Sequence, residues 1–500
     1  MRFFLLMISA LLLVPGPVRA QDLEKRLQKL ELAALEFILP QEALQTYRAL
    51  PDSEKAAWAA RYWRAMDPTP TTPVNEYYEE FRKRLRFAYE HFRNLVPPYY
   101  LDDRARYYLR FGPPDDRAES VGLGKKYRNN MTWAYYDYNL FIDFVEFETY
   151  GYREVPDLTE AVQGYPLNER ARIASELYAE RADLSPRYLV FRTVKNDLQY
   201  LGEIQDFTEE RTRAEQQAPP VTFRFHYKAK PLHVLLNSSV FRGKNSLSRV
   251  ELYYLVPLKE LGFTGTAGNW QAKLRWTLIL YDRNYKPVLR NSQEIPLAAK
   301  SAAEISRRSY ANQVNEELAP GRYFLAWRFE NGDGSRLAIL KSHLNVRPFP
   351  AGKLAVSDVQ FAHQILLNAR GENTKAHGIR VVPYISSTLS RNRPVLVYYE
   401  IYNLALREGK SHFRVQYEVE GLGGGGLRET AARIVNFIRG KPVTGTTGTS
   451  FETQGQTPFE QLYSSLDFSN TAPGKKRMKI TVTDLNSGQQ ASVQKVFLLQ

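Results

Sequence analysis

Apolar positions follow two rhythms along this chain. Before about residue 220 they recur mainly every three to four residues. Leu23, Leu27, Leu30, Ala34 and Phe37 predict a helix over 22–39, capped by Asp22 and ended by Pro40. A second short helix runs on to Leu50. A third opens at Pro51-Asp-Ser and places Trp58, Tyr62 and Met66 on one face. Three prolines between Asp67 and Pro73 favour extended backbone, because each fixes its own dihedral and removes a donor. Residues 74–92 return to helix, with Phe81, Leu85, Ala88 and Phe92 in one stripe. Residues 104–111 are strand-like, Gly112-Pro-Pro-Asp115 is a turn, and 132–136 and 140–147 read as strands. Residues 166–207 look mainly helical. The polar stretch 208–220, ending in two prolines, reads as a linker.

From Val221 onward, short β-branched and aromatic runs alternate with Gly, Pro and Asn turns. Residues 250–256, 274–280, 322–329, 394–402, 412–419 and 477–483 are predicted strands. An internal echo supports two similar modules. Ala319-Pro-Gly and Ala472-Pro-Gly each lead into a strand, a hairpin turn and a closing strand, 153 residues apart. Residues 250–256 and 395–402 echo each other at a similar offset. The expected fold is therefore multidomain: a helical and α+β region followed by two tandem all-β, Ig-like sandwiches. The expected boundaries are 1–20 for a signal peptide, 21–165 for the α+β domain and 166–220 for a helical connector. The sandwiches take 221–348 and 352–500, with Pro348-Phe-Pro-Ala-Gly as hinge. The glycine run 421–426 lacks a strand-to-helix context and reads as a hairpin, not a phosphate loop.

Composition narrows the chemistry. The 500 residues contain no cysteine, which excludes disulfides, thiolate metal sites and cysteine nucleophiles. The seven histidines are scattered without metal-binding spacing. Met1-Arg2, the apolar run 3–14 and Val-Arg-Ala ending at Ala20 have the three parts of a cleaved secretory signal, and the run is too short to span a bilayer. The expected location is periplasmic or extracellular. Net charge is +14, and it is unevenly divided: residues 21–220 carry −6 and residues 221–500 carry +18. A basic half attracts anionic polymers or an anionic membrane face. In an exported protein, nucleic acid is a poorer candidate than anionic glycan, lipid headgroups or an acidic protein. The simpler reading is solubility, or packing of the acidic half on the basic half.

The stretch from Trp63 to Tyr152 resembles the GWxTD domain of exported bacterial proteins. Asp67-Pro-Thr-Pro, Thr72-Pro73 and Asn75-Glu76 are similar to that family's DPTPxTPxNE signature. Phe81 and Arg84 match the following helix. Asp103-Arg104, Arg106 and Tyr108 match its DRxRxY strand, Phe111 to Asp115 its GPPD turn, and Trp133 and Tyr135 an aromatic strand. Where the family has Gly-Trp-x-Thr-Asp, this chain has Tyr99-Tyr100-Leu101-Asp102-Asp103, keeping only the final Asp. The resemblance implies export and architecture, not a reaction.

Asp102, Asp103, Asp115, Asp116, Asp137 and Asp143 form the densest acidic set. Two converging carboxylates would serve glycoside hydrolysis or hold Ca²⁺. Salt-bridged and turn-capping carboxylates are the simpler reading, with Asp143 an inward group paired with an arginine. No GxSxG elbow accompanies the serines and histidines. Tyr99, Tyr100, Asp102, Asp103, Arg104, Arg106, Asp115, Trp133 and Tyr135 make a candidate binding surface. Lys475, Lys476, Arg477 and Lys479 make a candidate anion contact. No catalytic residue, metal or cofactor is assigned. The expected function is a non-enzymatic envelope protein that binds or scaffolds a protein or anionic glycan partner. The alternatives are a carbohydrate-active or metal-assisted hydrolase using the acidic set, and a peripheral membrane binder using the basic sandwiches.

Overall fold

The computed structural model describes residues 29–500, apart from 98, 124, 195, 224, 226, 267, 423–427, 430–432, 439–440 and 443–449. The predicted signal segment and residues 423–426 of the glycine run lie outside the described residues. Packing divides the chain into two units, Met1–His226 and Tyr227–Gln500.

The first unit begins with helical residues 29–34 and continues through α1 (Gln41–Arg48), α2 (Asp52–Met66), α3 (Glu76–His91) and α4 (Arg104–Phe111). A four-stranded antiparallel meander follows: β1 (Asp116–Ser120), β2 (Asn130–Tyr135), β3 (Leu140–Phe147) and β4 (Gly151–Glu154). Two further helices, α5 (Leu167–Ala179) and α6 (Asp197–Gln217), close the unit. Helices cover both faces of the sheet. Phe81, Leu85 and Ala88 of α3 share a core with Trp133, Ile142 and Phe144 on one face. Ala174, Leu177 and Tyr178 of α5 and Ile204 of α6 pack with Ala134 and Val145 on the other. Burial from both sides explains why every residue of β2 is buried.

Two predicted elements are corrected. Residues 104–111 are the helix α4, not a strand. Ala105, Tyr107, Leu109 and Phe111 are all buried, so the burial pattern has period two, yet α4 packs on two sides and the same pattern suits a helix. Ala, Leu and Arg favour helix, and Gly112, at φ +86°, provides a left-handed stop that a side chain would resist. Residues 208–217 are likewise the second half of α6, not a linker. The Thr208 and Thr212 hydroxyls bond back to the carbonyls of Ile204 and Thr208, and Glu215 is anchored by Arg106 and Arg110 at 2.8 and 3.0 Å. A polar helix is stable when such contacts hold it.

In the second unit, β5 (Leu235–Arg242), β6 (Ser248–Pro257) and β9 (Ser309–Leu318) form one sheet in the order β9-β6-β5. It faces a second sheet in the order β8-β7-β10-β11, from β7 (Asn269–Tyr281), β8 (Pro287–Ala299), β10 (Gly321–Asn331) and β11 (Arg336–Val346). Val250, Leu252, Tyr254 and Val256 of β6 meet Trp276, Leu278, Trp327 and Phe329 between the two layers. A second pair of sheets follows. One runs β13-β12-β14-β18-β16, from β12 (Gln360–Leu366), β13 (Arg380–Pro383), β14 (Val395–Tyr402), β16 (Arg433–Ile438) and β18 (Phe459–Asp467). The other contains β20 (Gln490–Leu499), β19 (Gly474–Asp484), β15 (Lys410–Gly421) and β17 (Ser450–Gly455), in that order. Val397, Tyr399 and Ile401 meet Phe413, Val415, Met478, Ile480 and Val482 in their core. The chain is thus a helical region followed by an extensive array of β-sheet. The two echoed stretches are the hairpins β10–β11 and β19–β20.

Candidate functional site

The residues that carry the family resemblance are tied into local structure. Asn75 caps α3: its Oδ1 accepts from the Tyr78 amide at 3.0 Å and its Nδ2 donates to the Trp63 carbonyl at 2.6 Å. Arg84 is nearly enclosed and donates to the carbonyls of Leu109, Arg110 and Thr222 at 3.1, 3.1 and 2.8 Å, with its guanidinium 4.6 Å from the Phe223 ring centroid. A cation is favourable at the carbonyl end of α4. A Cβ on Gly112 would come within 3.2 Å of that guanidinium. Tyr135 donates to the Gly112 carbonyl at 3.0 Å, and Asp115 accepts from the Tyr136 amide at 2.8 Å. The proline turn is thereby fastened from three sides.

These contacts revise the predicted binding surface. Trp133 and Tyr135 are core side chains, buried because β2 is covered on both faces. Asp102 is buried against Arg104 at 2.6 Å, and burial pushes its carboxyl up despite that arginine. Asp103 accepts from the Glu154 amide at 2.9 Å. Arg106 is occupied by Glu154 and Glu215. Tyr99 and Tyr100 alone border an open groove of about 550 Å³, with Leu30, Tyr89, Arg93 and Leu95. The acidic set is dispersed: Asp115 and Asp116 cap turns and strand starts, and Asp143 lies inside the unit. Among the described residues, no group of three or more His, Asp or Glu side chains could hold a metal ion. The basic cluster is also divided by strand alternation. Lys476 lies on the buried face of β19 with Met478, Arg477 pairs with Glu420 at 2.7 Å, and Lys475 is exposed.

Two buried polar clusters stand out, the first built on Asp143, whose inward placement the sequence anticipated. In the first unit, Asp143 accepts from the hydroxyls of Thr132 and Tyr178. Arg181, fully buried, donates to Thr132 Oγ1 at 2.6 Å and also to Asn130, Ser120 and the Leu177 carbonyl. Acid and arginine are therefore linked through Thr132, not bonded directly. Burial pushes the Asp143 carboxyl above the usual range, and the charge of Arg181 offsets this only in part. The adjoining recess of about 40 Å³ has room for a water or two and is too small for a sugar substrate.

The second cluster lies where the two pairs of sheets meet. Inward residues of β6 and β14 fill their own cores, and the alternate residues of both strands face each other. Lys375 Nζ sits 2.8 and 3.0 Å from the two Glu251 carboxylate oxygens and 3.5 Å from the Phe241 ring centroid. Arg249 Nε lies 3.2 Å from Glu251, and its guanidinium reaches Glu400 at 3.5 Å. Tyr253 donates to Glu251, and Tyr398 and Tyr402 donate to Glu400. Two cations and two carboxylates balance in a largely buried, aromatic enclosure that also includes Ile379, Val381 and Tyr463, with Arg249 at its partly exposed margin. Burial opposes the Glu251 charge, but Lys375 and Arg249 hold its carboxyl below the usual range. Burial holds the Lys375 ammonium below the usual lysine range. Segment 348–352 therefore joins layers that already share a buried interface, so it is not a free hinge. The signal in the sequence was a lone Glu within each of two apolar runs, 250–256 and 395–402.

No protein-family model and no curated protein matches the chain. Among solved structures it is similar to red sea bream transglutaminase, at 9% identity and TM-score 0.16, over 58% of this chain and 34% of that one. It is similar to the serine-rich repeat protein Srr2 of Streptococcus agalactiae, at 9% identity and TM-score 0.17, over 54% and 93%. It is also similar to the C-terminal domain of the Streptococcus pyogenes antigen I/II-family protein AspA, at 8% identity and TM-score 0.14, over 53% and 99%. The chain spans about a third of the transglutaminase's length. Nothing functional follows from likenesses this remote. Among the described residues, no helix is long and apolar enough to cross a membrane.

Proposed function

We propose that the chain is an exported, non-enzymatic scaffold that holds a protein or anionic glycan partner of the cell envelope. The observation that carries this reading is the buried joint of Arg249, Glu251, Lys375 and Glu400. A charge-balanced, largely buried cluster between two sheet pairs fixes their relative placement, as a rigid spacer requires. The acidic side chains that a hydrolase would need are instead used in turns and pairs. In this reading the signal at 1–20 exports the chain, residues 63–152 form a GWxTD-like domain, and Ig-like sandwiches occupy 221–348 and 352–500. The groove at Tyr99 and Tyr100 is a surface of the first unit open to a partner. The +18 charge of residues 221–500 supplies attraction to anionic surfaces.

Affinity capture of the mature chain from envelope extract, at low and high salt, tests the proposal. Stoichiometric retention of one partner, weakened by Tyr99→Ala with Tyr100→Ala, supports it. Salt-labile retention of lipid alone favours the membrane reading. Turnover of glycosides by the purified chain, with no partner retained, overturns it.

A further inference from the structure

Strand β8 is the open edge of its sheet: β7 pairs with one side, and among the described residues no strand pairs with the other. Leu289, Ile295 and Leu297 turn inward to the core, while Asn291, Ser292, Gln293 and Glu294 are exposed. The phase of the backbone ladder can be read from the chain. Pro296 has no N–H, so its nitrogen must point away from β7. From Leu289 to Ala299 the register with β7 is unbroken. The amides and carbonyls of Arg290, Ser292 and Glu294 are in step with Pro296 and therefore face the open edge. The bulge between Pro287 and Leu289 limits this row at one end, and Pro296 limits it at the other. Edges are commonly defended by prolines and charges. Here those devices leave a short row of defined length.

We propose that this row docks a second copy of the same chain, antiparallel, across a two-fold axis at Ser292. The charge pattern Arg290-Asn-Ser-Gln-Glu294 is self-complementary only in that arrangement. Arg290 of each copy faces Glu294 of the other, and Ser292 faces itself. Each of the three facing residue pairs exchanges two backbone hydrogen bonds. Val288, half exposed, comes beside the Pro296 of the second copy. A parallel, in-register pairing would oppose like charges, which is unfavourable. Glu294 already pairs with Lys273 at 2.7 Å on the outer face, and the Ser292 and Thr277 hydroxyls meet at 3.0 Å. The outer face is thus pre-ordered before docking.

Sedimentation velocity of the mature full chain over a wide concentration range tests this. A reversible monomer–dimer equilibrium is expected. Ser292→Pro removes the central outward donor without touching the β7 ladder and should raise the dimer dissociation constant about tenfold or more. Arg290→Glu alone and Glu294→Arg alone should each weaken the dimer. The double variant R290E/E294R should dimerise more tightly than either single, because the opposite charges across the axis are exchanged even though the pair with Lys273 is lost. Circular dichroism and thermal melting confirm that each variant is folded, and the charge-reversal series decides the matter should the proline variant misfold. A chain monomeric at every concentration overturns the proposal. So does a dimer indifferent to the single reversals, or a double variant no tighter than the singles.

Discussion

Asp143 in the first unit and Glu251 in the second are both buried carboxylates, and they are shifted in opposite directions. Both lose water. Asp143 receives hydroxyls in exchange, from Thr132 and Tyr178, with Arg181 one group removed. Glu251 receives an ammonium at 2.8 Å and a guanidinium at 3.2 Å as well as the Tyr253 hydroxyl. Neutral donors leave the desolvation of Asp143 incompletely offset, whereas direct cations overcome that of Glu251. The difference shows what each cluster does. The Asp143 cluster satisfies polar groups between a sheet and its covering helices. The Glu251 cluster is a charge-balanced lock between two layers.

The largest test of the contrast removes a cation from the lock. Lys375→Met should leave Glu251 buried without its nearest counter-charge and destabilise the second unit by about 3–5 kcal/mol. Chemical denaturation of the full chain, followed by fluorescence, measures it. Replacing Glu251 by Leu as well should recover most of the loss, because a well-packed apolar pair is close to neutral in such sites. A double variant as unstable as the single would mean that geometry, not the stranded charge, set the cost.

Arg181→Met is the matching change in the first unit. It strips donors from Asn130, Thr132, Ser120 and the Leu177 carbonyl. The expected loss is about 2–3 kcal/mol, below that of Lys375→Met, because Asp143 can take up a proton where Glu251 cannot do so cheaply. The reverse ranking, in the same denaturation assay, would break the comparison.

The sequence showed these two regions unequally. Strand texture beyond residue 220 and the two Ala-Pro-Gly hairpins were readable, because alternation and turn residues are local signals. The lock was not: Lys375 lies in an irregular segment and meets Glu251 across 124 residues. Only the intrusion of Glu251 and Glu400 into apolar strands hinted at it. Helix α4 was misread because burial on two sides gives a helix the period of a strand. Trp133 and Tyr135 were placed on a candidate binding surface but lie in the core, because helices cover both faces of β2, which strand texture alone does not reveal.

Acid titration sharpens the contrast further. The Glu251 carboxyl is depressed on folding, so its stabilisation is complete above the unfolded value of about 4 and is lost as pH falls through the lower folded value. The Asp143 carboxyl is raised, so its buried charge costs stability above the folded value, and acidification toward the unfolded value of about 4 recovers it. Glu251→Gln should therefore lower stability near neutral pH, and the gap to wild type should close in acid. Urea midpoints across the acid range read this out. A gap that widens in acid would refute the assignment.

Asp143→Asn should have the smallest effect of the set. The amide oxygen can still accept from Thr132, and the amide nitrogen faces the Tyr178 hydroxyl, which already accepts from the Leu158 amide at 3.0 Å and can accept again. What is removed is a charge that the fold holds at a disadvantage. The substitution should change stability near neutral pH by less than about 1 kcal/mol, and a small gain is as compatible with the geometry as a small loss. Any difference should shrink on acidification, because the wild-type carboxyl then becomes neutral too. A loss of the size expected for Lys375→Met would mean that Asp143 and Arg181 act as a direct ion pair despite the intervening Thr132. The two clusters would then differ in composition and not in kind.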